Sequence, residues 1–179
     1  MVREYKDLKG LIDDSASISM PEIISKCRKR ARMERIDLII IDHIGLIDAD
    51  GESETAKISK ISRQCKVLAK MIGCPVLILS QLNRQCEQRP DKRPKLSDLR
   101  QSGAIEQDSD SVIMLYRDDY YNKESDQKGI AEVIVTKNRK GEVCSVPLMN
   151  QFNFCRFADA DGYELQNDTS DQFDVGMKF

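Results

Sequence analysis

The chain has 179 residues, 40% of them hydrophobic and 32% charged, with a formal net charge of −2; that is enough chain to bury one sizeable core, and too apolar for a disordered segment. No apolar run approaches the roughly 20 residues that a bilayer-spanning helix needs, and Met1 to Leu11 lacks the apolar centre of a secretory leader, so a cytoplasmic protein with no membrane partner is expected. A net charge so near zero argues against a generic polyanion binder, yet the charge is uneven: Lys26 to Arg35 holds six bases against one acid, Arg84 to Arg100 six against three, and Asp159 to Asp174 six acids and no base.

Leu8 to Ile12 predicts a short strand that ends in Asp13-Asp14. Ser19 followed by Glu22, with Pro21 in the first turn, is a capping-box signature, and Ile23, Ile24, Cys27 and Ala31 give the helix behind it an apolar face. Leu38 to Ile41 is the continuous apolar run of a strand buried on both faces. Ile58, Ile61, Cys65, Leu68 and Ile72 recur at helical spacing, and Gly73 closes that helix. Pro75 to Leu79 is a second buried strand. Strand, helix, strand, helix, strand over the first 81 residues argues for a parallel sheet with crossover helices.

After Gln81 the character changes. Gln85 to Asp98, with Pro90 and Pro94, reads as a long polar loop, Ala104 to Asp108 as a short helix and Ser111 to Tyr116 as a strand. Asp118 to Gly129 is a polar loop. Ala131 to Lys137 and Val143 to Leu148 form a hairpin around Arg139-Lys140-Gly141, and Phe152 to Phe157 adds an edge strand. Residues 1–158 are thus expected to form one α/β domain with an antiparallel C-terminal extension, and 159–179 an acidic, flexible tail. The six cysteines form no C-x-x-C pair and His43 is the single histidine, which points to reduced thiols and away from a metal cluster.

Two strand ends carry candidate chemistry. Asp42 follows Leu38-Ile39-Ile40-Ile41, and the carboxyl end of a buried parallel strand is where open α/β sheets bind ligands. In a nucleotide motor such an acid holds Mg²⁺, usually through water, beside the β- and γ-phosphates; by itself it is equally an ordinary strand end. Gln81 ends Val76 to Ser80 in the same way, and its amide suits either a γ-phosphate with its attacking water or a local loop contact. Lys137 and Arg139 stand on a basic hairpin turn, which by composition alone is a solvated turn.

The run Leu79-Ser80-Gln81-Leu82-Asn83-Arg84, then Asp91-Lys92-Arg93-Pro94, then Ser97-Asp98-Leu99-Arg100-Gln101-Ser102-Gly103-Ala104-Ile105-Glu106-Gln107-Asp108-Ser109-Asp110 resembles DnaB-type replicative DNA helicases. So do Tyr116-Arg117-Asp118 and Lys128 to Glu132, and the resemblance covers Leu8 to Phe157. It implies a RecA-like core that assembles as a homo-hexamer around single-stranded DNA, uses ATP and Mg²⁺, and has a helicase loader or primase as possible partners. Arg100, Gln101, Ser102 and Gly103 match the family's DNA-gripping channel loop. A glycine there lets the main chain approach phosphates, and an arginine supplies charge without reading sequence. Arg139 matches an arginine finger that reaches a neighbour's γ-phosphate, with Lys137 its companion; a planar, permanently charged fork suits that task.

The sequence departs from the family in four places. Gln101 replaces an acid, His43 replaces a tyrosine, and Glu142-Val143 stand where the family's turn has Gly-Pro. The family's Gly-x-x-x-x-Gly-Lys-Ser/Thr phosphate loop is absent, and nothing matches the catalytic glutamate that follows it. The resemblance therefore implies part of a helicase motor that is inactive alone in ATP hydrolysis, Met1 being the start of a shortened gene or an artificial start. The alternatives are a non-catalytic module that binds DNA or joins a helicase ring, and a RecA-like recombinase or clock-type ATPase, against which the run from Arg100 to Asp110 speaks.

Overall fold

The computed structural model describes residues 10–99 and 103–160, which fall into two compact units, residues 1–80 and 81–179. In the first unit the local signals act as the sequence predicts. The Ser19 amide and hydroxyl both donate to the Glu22 carboxylate, at 2.8 and 2.7 Å, and α1 runs from there over Met20–Ala31. Its inward face is Met20, Ile23, Ile24 and Cys27; Ala31, expected on that face, is exposed. Helix α2, Glu54–Ile72, starts where Ser53 Oγ accepts from the Ala56 amide at 3.2 Å and ends at Gly73, whose φ of 77° is the left-handed cap that glycine adopts without strain. It buries Ile58, Ile61, Cys65 and Leu68, and α1 packs against it.

The strands of this unit are short and parallel. β1, Ile18–Ser19, pairs with β3, Ile47–Asp48, and β2, Ile39–Ile41, pairs with β4, Val76–Ile78, with Ile40 opposite Leu77. Two expectations fail here. Gly10, Leu11 and Ile12 form no strand, and Leu8 lies outside the described residues; Leu11 and Ile12 stay 75% and 89% exposed because no neighbouring strand pairs with them. Nor are β2 and β4 buried on both faces. Ile41 is covered, whereas Leu38, Ile40, Leu77 and Leu79 remain 48, 60, 48 and 41% exposed on the opposite side. An apolar run on both faces says what a strand tolerates, not what covers it.

The second unit is an antiparallel sheet in the order β5-β6-β7-β8, comprising Ser111–Tyr116, Ile130–Asn138, Cys144–Gln151 and Arg156–Asp159. β5 alternates exposed and buried along its whole length, so Val112, Met114 and Tyr116 face inward. Val112 and Met114 join Leu99 in a small core against which Leu82, Leu96, Ile105 and Ile134 pack. The last strand starts later than predicted, because Phe152–Phe154 form a 3₁₀ turn before it. Single turns also occupy parts of the expected loops, at Arg84–Gln88, Leu96–Asp98 and Asp118–Tyr121 (α4), while the short helix α3 spans Gly103–Asp108. No helix of the described residues is long and apolar enough to cross a membrane.

Candidate functional site

In the first unit the parallel ladder of β2 and β4 continues past both strands. The Leu79 amide donates to the Ile41 carbonyl at 2.9 Å, and the Ile44 amide to the Leu79 carbonyl at 3.0 Å. The chain leaving β2 is thereby folded over the carboxyl end of β4. Asp42 leaves β2 there with an exposed side chain, and the Asp42–His43 peptide is cis. His43 precedes the 3₁₀ turn Ile44–Leu46, and its ring lies so close to Gly45 that a Cβ there would stand 3.2 Å from Nε2. His43 is thus a half-buried wall residue. Among the described residues no group of three or more histidine, cysteine or acidic side chains could hold a metal ion. The donor set fits a hard cation carried in by phosphates and touched by the single Asp42 carboxylate through water, not one caged by protein.

The second unit begins at Gln81, which is exposed and engaged in an interaction with its surroundings. The loop behind it is closed at its base. Leu82 bridges Leu99, and the Asn83 amide donates to the Asp98 carbonyl at 2.7 Å. Inside the loop, Arg89 forks onto the buried Asp98 carboxylate at 2.7 and 2.6 Å and also donates to the Arg93 carbonyl at 2.9 Å. Asp98 further accepts from the Lys95 amide at 2.8 Å. The Arg89 guanidinium, helped by that amide, holds the Asp98 carboxyl below the usual carboxylate range against the opposing effect of burial.

Four candidate DNA-contacting residues follow this loop. Arg100, Gln101 and Ser102 lie outside the described residues; Gly103 opens α3, exposed, with open space where a Cβ would go. At the far end of α3 the two basic candidates of the hairpin meet it. Lys137 Nζ donates to the Glu106 carbonyl, and Arg139 donates to the Gln107 carbonyl at 2.5 Å and to Asp110 Oδ1 at 3.4 Å. The Arg139 amide also donates to the Asp110 carbonyl at 2.9 Å. The structure therefore brings Lys137 and Arg139 together on one helix end, and Arg139 remains 48% exposed.

Two arrangements left no mark that sequence reading could use. Arg93 spans 39 positions to fork onto Glu132 at 3.2 and 2.7 Å while lying over the Tyr116 ring at 4.8 Å. Burial, together with the Asp118 carboxylate to which its hydroxyl donates at 2.8 Å, pushes the Tyr116 phenol well up. Beside it opens a largely apolar cavity of about 400 Å³ lined by Leu82, Leu115, Tyr121, Phe152 and Phe157, with Arg117 stacked on the Phe152 ring at 4.3 Å. The aromatic run Tyr120-Tyr121 was the available signal.

The family model of the DnaB-like helicase C-terminal domain matches residues 1–159. The replicative DNA helicase DnaB of Geobacillus stearothermophilus is 49% identical over 140 residues, 76% of this chain and 31% of that protein. The replicative DNA helicase DnaC of Bacillus subtilis (strain 168) is 47% identical over the same share of both. The chain thus spans about a third of the length of these relatives. Among solved structures, an isolated ATPase domain superposes with a TM-score of 0.83 at 43% identity, covering 88% of this chain and 57% of that one. A DnaB-like replicative helicase described with its primase interactions gives 0.79 at 45% identity, covering 83% and 37%.

Proposed function

Because the chain belongs to the family of DnaB-like helicase C-terminal domains and shares their RecA-like α/β fold, we propose that it is the part of a replicative DNA helicase motor that completes an ATP site and grips single-stranded DNA. The observation that carries this reading is the match over residues 1–159, with the exposed Asp42 carboxylate at the end of a parallel strand as its structural counterpart. Asp42 holds ATP-bound Mg²⁺ through water. Bound Mg²⁺ neutralises charge on the phosphate oxygens. Gln81 contacts the γ-phosphate or its attacking water. Arg139, with Lys137, reaches the nucleotide of a neighbouring subunit in a homo-hexameric ring, and residues 100–103 contact the DNA backbone by charge and close approach.

The phosphate loop and the catalytic base have no counterpart in this sequence, so the chain alone does not turn over ATP. Their preorganised charge is worth several kcal/mol. The whole motor translocates on one strand, unwinds duplex in a bacterial cytoplasm and works with primase, as the primase-interacting relative does.

The experiment joins this chain behind a relative's phosphate-loop segment and measures DNA-stimulated ATPase. The joined motor is expected to turn over at about 1 per second or more, and Asp42→Asn to lose at least about a hundredfold. Full activity in Asp42→Asn overturns the assignment of Asp42. Turnover by the unjoined chain at the motor's rate overturns the reading of a dependent part.

A further inference from the structure

The carbonyls at a helix's last turn have no partner inside the helix, and cations placed there satisfy them and complement the helix dipole. Helix α3 has six residues, too few to be stable by itself, and no base in its own last turn. Its C-terminal carbonyls are met from another element. β6 pairs with β5 so that Lys137 lies opposite Val112 and Asn138 opposite Ser111, with a register irregularity that leaves Thr136 unpaired. Lys137 and Arg139 stand two residues apart and so project from one face of the strand end. That face meets Glu106 and Gln107, whose carbonyls they take, while Ile105 anchors the same helix in the core of the unit.

The N-terminal end of α3 is Gly103, the last residue of the segment assigned above to DNA. One short helix therefore runs from that segment to the two cations. We propose that Lys137 and Arg139 have a second role, as positioning residues for single-stranded DNA: by capping α3 they fix the helix that carries residues 100–103. The proposal rests on the reading of 100–103 as a DNA contact. It makes the cations of the hairpin act on DNA without touching it, and it places two demands on one guanidinium. Arg139 cannot swing fully to an external phosphate without loosening its grip on Gln107, so occupancy of Arg139 and rigidity of α3 are linked reciprocally.

The test uses this chain, an unstructured oligothymidylate at low salt, and hydrogen exchange. Lys137→Ala and Arg139→Ala are expected to speed exchange of the amides from Gly103 to Ser109 about three- to tenfold, with the β6–β7 amides unchanged. Both should weaken oligothymidylate binding more than Lys140→Ala, which removes the same charge from the same turn. Lys137→Arg should restore both readouts. Unchanged exchange in the alanine variants overturns the proposal, and so does faster exchange with a loss of affinity no greater than that of Lys140→Ala. No binding by the native chain even at millimolar oligonucleotide fells the DNA reading and the proposal together, whereas binding by the native chain with undiminished variants fells the proposal alone.

Discussion

Arg93 closes its guanidinium on Glu132, a carboxylate only 2% exposed, across 39 residues of sequence, at 3.2 and 2.7 Å. The pair ties the loop after Gln81 to the middle of the antiparallel sheet, and Arg93 also covers the Tyr116 ring. Removing Arg93 leaves a buried charge with its main counterion gone. Arg93→Ala is expected to destabilise the second unit by about 2–4 kcal/mol, the lower end reflecting the 32% exposure of Arg93. Arg93→Met with Glu132→Leu should recover most of it. Urea unfolding of the three proteins decides; an Arg93→Ala midpoint equal to that of the native chain shows that solvent screens the pair.

Asp98 gives the loop a pH signature. Its carboxyl is held below the ordinary value of about 3.9, first by Arg89 and then, against burial, by the Lys95 amide. A group depressed in the folded state stabilises fully above its unfolded value, and that contribution fades as the pH falls through the folded one. Native stability is therefore expected to drop below about pH 4, and Asp98→Asn to begin lower and show a shallower decline over that window. Parallel melting-temperature profiles for the two proteins between pH 6 and pH 2.5 rule out the pair as the source.

Gly73 isolates a backbone effect. Its φ is 77° and nothing lies within 4 Å of the place where a Cβ would stand, so a methyl group there meets no neighbour. Gly73→Ala is expected to cost about 1 kcal/mol through conformation alone. Gly73→Asn should cost less, since asparagine tolerates the left-handed region. Equal losses for the two, measured by denaturant titration, speak for something other than the cap.

Arg139 acts in trans in the proposed ring. Fingers of this kind contribute roughly 10³ to 10⁵ in rate in other phosphoryl-transfer enzymes, whereas a plain surface turn residue contributes almost nothing. In the joined motor, Arg139→Ala and a variant lacking the phosphate-loop lysine should each be nearly inactive. Mixed rings should regain part of the ATPase from interfaces that pair an intact loop with an intact Arg139. Full activity of Arg139→Ala alone returns it to the status of a solvated turn.

The legible parts of the fold were those with a local cause. Ser19 and Glu22 lie one helical turn apart, Gly73 sits at the end of a helical stripe, and Ser111 to Tyr116 alternates residue by residue, so each could be read without knowing its neighbours. Asp42, Gln81, Lys137 and Arg139 were found by position and resemblance, but their surroundings were not. Arg89–Asp98 and Arg93–Glu132 join residues 9 and 39 apart, and nothing in either side chain names its partner. The attachment of Lys137 and Arg139 to α3 is harder still, because its acceptors are backbone carbonyls, which every residue carries. The strands β2 and β4 were misjudged for a related reason: their aliphatic residues promise a cover on both sides, and the cover is not written in the strand.

That uncovered side has a cellular meaning. Leu38, Ile40, Leu77 and Leu79 present four adjacent aliphatic side chains, each at least 41% open, on a ladder of only two strands. Chaperones and quality-control proteases recognise exposed aliphatic stretches of this kind, and so do other nascent chains. A molecule that displays one is triaged continually, and its steady-state abundance falls with the fraction of time the patch stays unsheltered. Before it governs any chemistry, then, this face governs how long the polypeptide lasts.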